Sequence, residues 1–314
     1  MGRDTSVTNV AGLMIIVMIL HHLAFVPIVK VTDYVFVFFM AWFFFKSGMY
    51  SNSGRKKNFR DVLSHLFRKL FVPYLILNIV SILFGVMLEY SYSGYINVIG
   101  DLKGNLLTIV RTGSALWNGS LWFLLTLFIV RVISKMGGGG KLITRWLCVC
   151  SLIIAYGLYK IPITLPWYLG NTALGLFFYN LGCLLKESQY GRWQMFISST
   201  IYVLILCLFD VQFDFWSNQT NSYPIAIVVL IAGCIAVNNV FKMCKFFQNR
   251  VFQYVGENAM PFYIIHGLLI YGISFLNGHV LCMGMGYAFF LLNIVVLSIA
   301  LPLYAFIYNH YKLQ

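Results

Sequence analysis

Apolar residues run along this chain in long stretches that are separated by short polar loops. A helix needs about 20 largely apolar residues to cross the hydrocarbon core of a bilayer, so stretches of this length predict membrane-spanning helices. Pro162 and Pro166 break helices, which leaves the boundary between the fifth and sixth stretches ill-defined and makes counts of about eight to eleven compatible with the pattern. We predict ten spans, at 10–29, 33–50, 70–88, 116–134, 146–160, 165–186, 194–210, 223–240, 257–276 and 280–308.

The composition agrees with the pattern. Hydrophobic residues make up 60% of the 314 positions and charged residues only 10%, whereas an average soluble domain is about 25% charged. No stretch is polar enough to coat a soluble domain longer than a loop. We therefore predict an all-α, polytopic integral membrane protein in which 1–314 form a single transmembrane domain with no separate soluble domain.

Lysine and arginine are unevenly distributed between alternate loops. With ten spans, seventeen of the 22 bases fall on one side and four on the other, and Lys46 lies near the end of a span. Because basic loops stay in the cytoplasm, this bias predicts that both termini are cytoplasmic. The bases are explained by topology and contact with anionic membrane lipids, so we predict no nucleic-acid partner. The other side, which would face outward, carries Asp33, Glu89, Asp101, Asp210 and Asp214.

Ionisable side chains inside membrane spans are few, and each is a candidate for function because its burial in lipid is costly. The first span contains His21 and His22. An imidazole can take a proton from a hydroxyl group and return it later, which suits a general base in group transfer. A neutral histidine that hydrogen-bonds between two helices explains the same pattern equally well. The seven cysteines show no metal-ligand spacing, and we predict no metal.

Three other ionisable residues fall in or near spans. Lys46 can either bind a phosphate or extend its ammonium group from the end of its helix into water. Glu257 and His266 lie nine residues apart, about 13 Å along a helix, so they are not a contacting pair within one straight helix. His266 is as compatible with packing as with a site.

A basic, amphipathic segment at 55–69 precedes the third span. Its apolar residues have helical spacing, as in a helix that lies at a membrane surface. Its bases, including Arg68 and Lys69, can hold a polyanionic cofactor, or they can do no more than bind lipid headgroups and fix the topology.

Six short motifs together resemble one protein family over nearly the whole chain. They are N-V-A-G-L-M-I-I-V-M-I-L-H-H-L at 9–23, F-F-F-K-S-G-M-Y at 43–50, F-R-K-L-F-V-P-Y at 67–74, S-L-W-F-L at 120–124, F-F-Y-N-L-G at 177–182 and G-E-N-A-M-P-F-Y-I-I-H at 256–266. Their order and spacing resemble the membrane-bound acyltransferase family 3, whose members O-acylate sugars of surface polysaccharides.

The resemblance implies an acyl-CoA donor, usually acetyl-CoA, and a sugar hydroxyl acceptor on a lipid-linked or exported glycan. The histidine of the family's first helix corresponds to His22, and the basic pair before the third span corresponds to Arg68 and Lys69. This sequence departs from the family at Ala11, where members usually carry Arg or Lys, and at Asn9, where they carry an acidic residue. Either a base elsewhere replaces the missing cation or donor binding is weakened.

The combined hypothesis is an O-acyltransferase of the plasma or inner membrane with several spans. Coenzyme A would dock its phosphates near Arg68, Lys69 and Lys46, and His22 would be the general base. Trp122, Glu257 and His266 are candidates for binding the sugar.

Two alternatives remain at this stage. One is a non-catalytic carrier or exporter of a polysaccharide intermediate. The other is a structural subunit that works with polysaccharide-assembly proteins.

Overall fold

The computed structural model describes residues 5–51, 58–95, 97–138, 140–161, 166–186, 192–284 and 286–312. Of the described residues, 84% are helical, which confirms the all-α prediction. Arg3 and the bases at 55–57, which entered the prediction of topology, lie outside the described residues, as does Pro162.

Fourteen α-helices and one short β-hairpin make up the described chain. The helices are α1 (Thr5–His22), α2 (Val26–Val35), α3 (Phe39–Met49), α4 (Phe59–Leu66), α5 (Val72–Ser93), α6 (Val98–Thr112), α7 (Trp122–Met136), α8 (Lys141–Lys160), α9 (Trp167–Leu185), α10 (Arg192–Leu208), α11 (Tyr223–Met243), α12 (Arg250–Glu257), α13 (Ala259–Leu276) and α14 (Tyr287–Lys312). Strands β1 (Phe213–Asp214) and β2 (Gln219–Thr220) pair antiparallel. Turns of 3₁₀ helix cover Gly119–Leu121 and Lys245–Phe247, and π-helical turns cover Phe67–Phe71 and Asn277–Leu281.

A helix lies in each of the ten predicted spans. Seven helical segments of the described chain are long and apolar enough to cross a membrane, or eight if the bent pair α2 and α3 counts as one span. Helices α9 and α10 are not among them, and α10 is short for a span at 17 residues. The number of ten spans and the cytoplasmic placement of the termini therefore stay predictions.

The first predicted span, 10–29, is wrong in its extent. Helix α1 ends at His22, and the chain turns at Ala24, whose φ of 53° lies in the left-handed region. Helix α2 then begins with Pro27 in its first turn, a position that tolerates proline because the first helical N–H groups have no acceptor within the helix. A bend of 47° separates α2 from α3. The chain therefore folds back over the end of α1.

Two helix crossings depend on reciprocal glycines. A Cβ atom added at Gly12 of α1 would lie 2.0 Å from the backbone oxygen of Phe252, and one at Gly256 would lie 1.9 Å from that of Thr8. The crossing of α3 with α9 repeats this arrangement at Gly48 and Gly182. Small residues let helix backbones approach closely in membrane proteins, where lipid supplies no hydrophobic drive for helix association. These glycines fix the positions of α1 and α3.

The segment between α6 and α7 is irregular and mostly buried, and asparagines from other helices satisfy its backbone. Ala115 N donates to Asn78 Oδ1 at 2.7 Å, and Leu116 N donates to Asn105 Oδ1 at 3.2 Å. Irregular backbone at membrane depth is tolerated only where protein or a cavity surrounds it. This segment leads directly to Gly119 at the edge of a cavity.

Candidate functional site

A cavity of about 920 Å³ lies between the end of α1, the α2–α3 bend, the start of α7 and the hairpin loop of β1 and β2. Its volume lies within the range that small-molecule sites usually have, about 300–1,000 Å³. Both histidines of α1 line this cavity, together with Trp122, Phe215 and Trp216. It is larger than two other cavities of the described residues, which have volumes of about 150 and 490 Å³.

His22 lies in the last turn of α1 with its side chain exposed to this cavity. Its Nδ1 is 2.8 Å from the backbone oxygen of Met18. A carbonyl oxygen can only accept a hydrogen bond, so in the neutral imidazole Nδ1 carries the proton and Nε2 carries the lone pair. The contact with Met18 thereby fixes the orientation of the His22 ring. Nε2, the nitrogen that can accept a proton, points away from the backbone of α1. This is the arrangement that a general base requires.

His266 lies beside His22 although 244 positions separate them in the sequence. Their ring centroids are 5.1 Å apart, and the rings meet edge to face at 84°. His266 is fully buried, and its Nδ1 donates to the backbone oxygen of Tyr263 at 2.6 Å. Its Nε2 has no hydrogen-bond partner among the described residues. The structure thus brings two of the predicted site residues together, with His22 lining the cavity and His266 in contact with its ring.

A pair formed by His21 and Asp33 was not predicted from the sequence. His21 Nδ1 lies 3.1 Å from Asp33 Oδ1 and 3.2 Å from Thr32 Oγ1. His21 and Asp33 both line the large cavity. The side chains are 32% and 56% exposed, so solvent weakens their attraction. The sequence signal was Pro27, since a break there returns α2 toward the end of α1.

Aromatic rings and carboxylates form the remaining walls of the large cavity. Trp122 and Phe215 stack with ring centroids 6.4 Å apart and an angle of 23°. Asp33, Asp210 and Asp214 also line the cavity, and Lys30 is the one lysine or arginine among its described lining residues. Trp122 therefore lines this cavity, and its part in binding a sugar stays a prediction. Asp210 and Asp214 were identified from the sequence only as residues of the acidic side.

A second, smaller cavity of about 150 Å³ adjoins His22 on the side of α13. Leu116, Trp117, Ile270 and Tyr271 supply most of its apolar lining. His22 is therefore located between two cavities that differ in size and in the charge of their lining residues.

Five predicted site residues do not line either of these two cavities, and one of them is His266, which contacts His22. Lys46 Nζ lies over the ring of Trp42, 5.4 Å from its centroid. Arg68 and Lys69 are exposed on the π-helical turn before α5. Glu257 is exposed and accepts a hydrogen bond from Gln253 Nε2 at 3.1 Å. A role for these residues in binding stays a prediction.

Besides Arg68 and Lys69, further basic residues lie at the ends of helices α7 and α9 that are away from the large cavity. Lys186 Nζ donates to the backbone oxygen of Ser51 at 2.9 Å. Arg131 of α7 hydrogen-bonds with the side chain of Tyr179. Twelve residues separate Arg131 from Gly119, which is about 18 Å along a helix. The basic end and the cavity end of the protein are therefore joined by α7.

The two positions that depart from the family pattern are both buried in α1. Ala11 is completely inaccessible to solvent. Asn9 Oδ1 accepts a hydrogen bond from Asn249 N at 3.0 Å, just before α12. Asn9 thus links α1 to the start of α12.

Comparison with known proteins assigns the family. A family model described as "Acyltransferase domain", of the acyltransferase-3 type, matches residues 10–309. A search of curated proteins and a search of solved structures gave no match. The match covers nearly the whole chain and includes each of the ten predicted spans. The chain belongs to the acyltransferase-3 family and is a multi-pass membrane acyltransferase.

Proposed function

We propose that this protein transfers an acyl group, above all acetyl, from acyl-CoA to a hydroxyl group of a cell-surface or lipid-linked glycan. The observation that carries the proposal is the orientation of His22. Its Nδ1–H is held by Met18, which leaves Nε2 for proton transfer at a cavity large enough for a sugar. The acyltransferase family of the chain supports the reaction type.

His22 would act first as a base and then as an acid. Nε2 takes the proton of the acceptor hydroxyl while the hydroxyl oxygen attacks the carbonyl carbon of the thioester. The tetrahedral intermediate then collapses, the carbon–sulfur bond breaks, and the leaving sulfur takes the proton from His22. The products are an ester and free coenzyme A, and the histidine returns to its neutral form. General-base assistance of this kind contributes about a hundred- to ten-thousand-fold to a rate.

The walls of the large cavity support a sugar as the acceptor. The aromatic side chains of Trp122, Phe215 and Trp216 give the cavity apolar surface, which suits the C–H groups of a pyranose ring. The carboxylates of Asp33, Asp210 and Asp214 accept hydrogen bonds, which matches the hydroxyl groups of a glycan. Trp122 is in this proposal a substrate-binding residue, and His266 supports the ring of His22.

The donor would bind with its phosphates at the basic end of the protein. Arg68 and Lys69 are exposed there, and Arg131 and Lys186 add two further cations that sequence reasoning had assigned to topology. Cations of this kind bind phosphate oxygens through charge-assisted hydrogen bonds. The pantetheine arm would then run along α7 and carry the thioester to His22. Lys46 and Glu257 have no defined part in this arrangement.

The proposed location is the plasma or inner membrane, with both termini in the cytoplasm. The basic end would then face the cytoplasm, where acyl-CoA is made, and the acidic cavity would face outward. Anionic lipid headgroups would contact the basic loops. Polysaccharide-assembly proteins are the proposed partners that deliver or remove the glycan.

The test uses purified protein in liposomes with acetyl-CoA and a de-esterified cell-envelope glycan. Release of free thiol that depends on the glycan, together with an ester on the recovered glycan by mass spectrometry, is the expected result. Movement of a labelled lipid-linked sugar across the bilayer without thiol release would instead favour the carrier. Protein that does neither alone, but acts when assembly partners are added, would favour a structural subunit.

A further inference from the structure

The two cavities beside His22 meet at a defined point. His22 and Gly119 are the only described residues that line both of them. Gly119 begins the 3₁₀ turn that leads into α7. A Cβ atom added at Gly119 would meet no other atom within 4 Å, so its open side faces free space. The two cavities therefore adjoin at His22 and Gly119.

The smaller cavity differs from the larger one in size and in the charge of its lining. Its volume of about 150 Å³ is about one sixth of the 920 Å³ of the larger cavity. Apart from His22, its described lining consists of apolar and aromatic side chains, two serines and two glycines, with no acidic or basic residue. It has no carboxylates for the hydroxyls of a sugar and is too small for a glycan.

The walls of the smaller cavity are fixed by hydrogen bonds from two directions. Asn118 Nδ2 donates to the backbone oxygen of Ile264 at 3.3 Å, and Ser120 Oγ donates to Asn118 Oδ1 at 2.7 Å. The hydroxyl of Tyr263 donates to the backbone oxygen of Ser120. A Cβ at Gly267 would lie 2.4 Å from Asn118 Oδ1, so α13 and this segment are in direct contact.

Trp117 closes another side of this cavity. Its ring meets the ring of Tyr271 at 86° with centroids 4.4 Å apart. Gly85 of α5 also lies directly against the indole ring of Trp117, since a Cβ atom added at Gly85 would be 2.2 Å from that ring. Close-packed walls of this kind do not yield to a larger ligand without strain.

We infer that the smaller cavity is the acyl pocket and that its fixed size selects short acyl chains. This inference rests on the proposed function, because it places the thioester carbonyl at the junction of His22 and Gly119. The acyl chain would extend toward Ile270, and the acceptor hydroxyl would approach from the larger cavity. The pocket, and not the base, would then determine which acyl-CoA is used.

The test compares acetyl-, propionyl-, butyryl- and hexanoyl-CoA as donors for the protein in liposomes, with one glycan acceptor. The quantity measured is the kcat/KM of each donor relative to acetyl-CoA. One methylene in a fitted apolar pocket is worth about 10- to 200-fold in such ratios. A cavity of about 150 Å³ is large enough for a six-carbon ring. We therefore expect the wild-type ratio to fall by at least about tenfold between butyryl and hexanoyl.

Two variants should shift this ratio in opposite directions. Ile270→Ala removes side chain from the pocket and should raise the hexanoyl-to-acetyl ratio by about tenfold or more. Gly119→Ala adds a methyl group at the junction, where there is space for it, and should lower the ratio. Ile270→Val is the milder form of the first variant and should shift the ratio less. Gly104→Ala on α6, where a Cβ also meets nothing within 4 Å, is the matched control and should leave the ratio unchanged.

The outcomes separate the inference from the proposed function. Acetyl transfer with the same donor ratios in wild type, Ile270→Ala, Ile270→Val and Gly119→Ala would overturn the acyl pocket while leaving the acyltransferase intact. A change in glycan preference without a change in donor ratio would also overturn it. Wild-type protein that transfers no acyl group from any donor would refute the proposed function and the acyl pocket with it.

Discussion

Gly12→Ala tests whether α1 is positioned by backbone contact with α12. The new Cβ would lie 2.0 Å from the backbone oxygen of Phe252, whereas ordinary contact begins at 3.4 Å, so the helices must separate by about 1.4 Å. Overpacking of this kind costs about 1–3 kcal/mol. We therefore expect the melting temperature to fall by roughly 2–4 °C per kcal/mol, the value for a domain of 150–250 residues.

The same substitution should reduce activity. His22 is ten residues along α1 from Gly12, about 15 Å away, and a displacement of the helix moves the base. A misplacement of about 1 Å can cost about a hundredfold in rate. The melting temperature is measured in detergent by intrinsic fluorescence, and activity by thiol release from acetyl-CoA. Gly157→Ala on α8, where a Cβ meets nothing within 4 Å, is the control and should be neutral or slightly stabilising. If Gly12→Ala keeps the stability and activity of the wild type, the close contact between the backbones of α1 and α12 is refuted.

Three further substitutions test separate parts of the structure. Asn78→Ala removes the acceptor of a buried backbone N–H at 2.7 Å, and the melting curve should show a loss of about 1–3 kcal/mol. Lys46→Gln removes the cation over Trp42, which should lower the free energy of unfolding by about 0.5–1 kcal/mol. The KM for acyl-CoA should stay unchanged. A raised KM would show that Lys46 binds the donor. Arg68→Gln combined with Lys69→Gln should raise the KM for acyl-CoA and reduce its dependence on salt, with kcat unchanged, and an unaltered KM would exclude these bases from the donor site.

The helices could be predicted from the sequence because long apolar runs in a membrane leave the backbone no other partner than itself. The end of α1 could not be predicted in the same way. Leu23 to Val29 are almost as apolar as the helix before them, so hydropathy does not record the turn at Ala24. Pro27 was the available signal. It is compatible with a kink as well as with a new helix.

The sequence was sufficient to identify the least common residues of the candidate site. It was not sufficient to predict how these residues are arranged. His22 and His266 were found because histidines inside spans are uncommon. Their contact at 5.1 Å depends on how α1 packs with α13, which no local pattern in the sequence encodes. The pairing of His21 with Asp33 likewise needs the chain to fold back. Asp210 lay in a loop of the acidic side, and only the hairpin brings it to the cavity.

The central claim is that His22 is the general base of acyl transfer. The most direct measurement is kcat for glycan acetylation by His22→Ala in liposomes, at saturating acetyl-CoA and matched protein amounts, with the melting temperature recorded for both proteins. We predict that kcat of His22→Ala is lower than that of the wild type by about 10²- to 10⁴-fold, which corresponds to about 3–5 kcal/mol in activation free energy. The variant should remain folded. Wild-type turnover by a well-folded His22→Ala protein would contradict it.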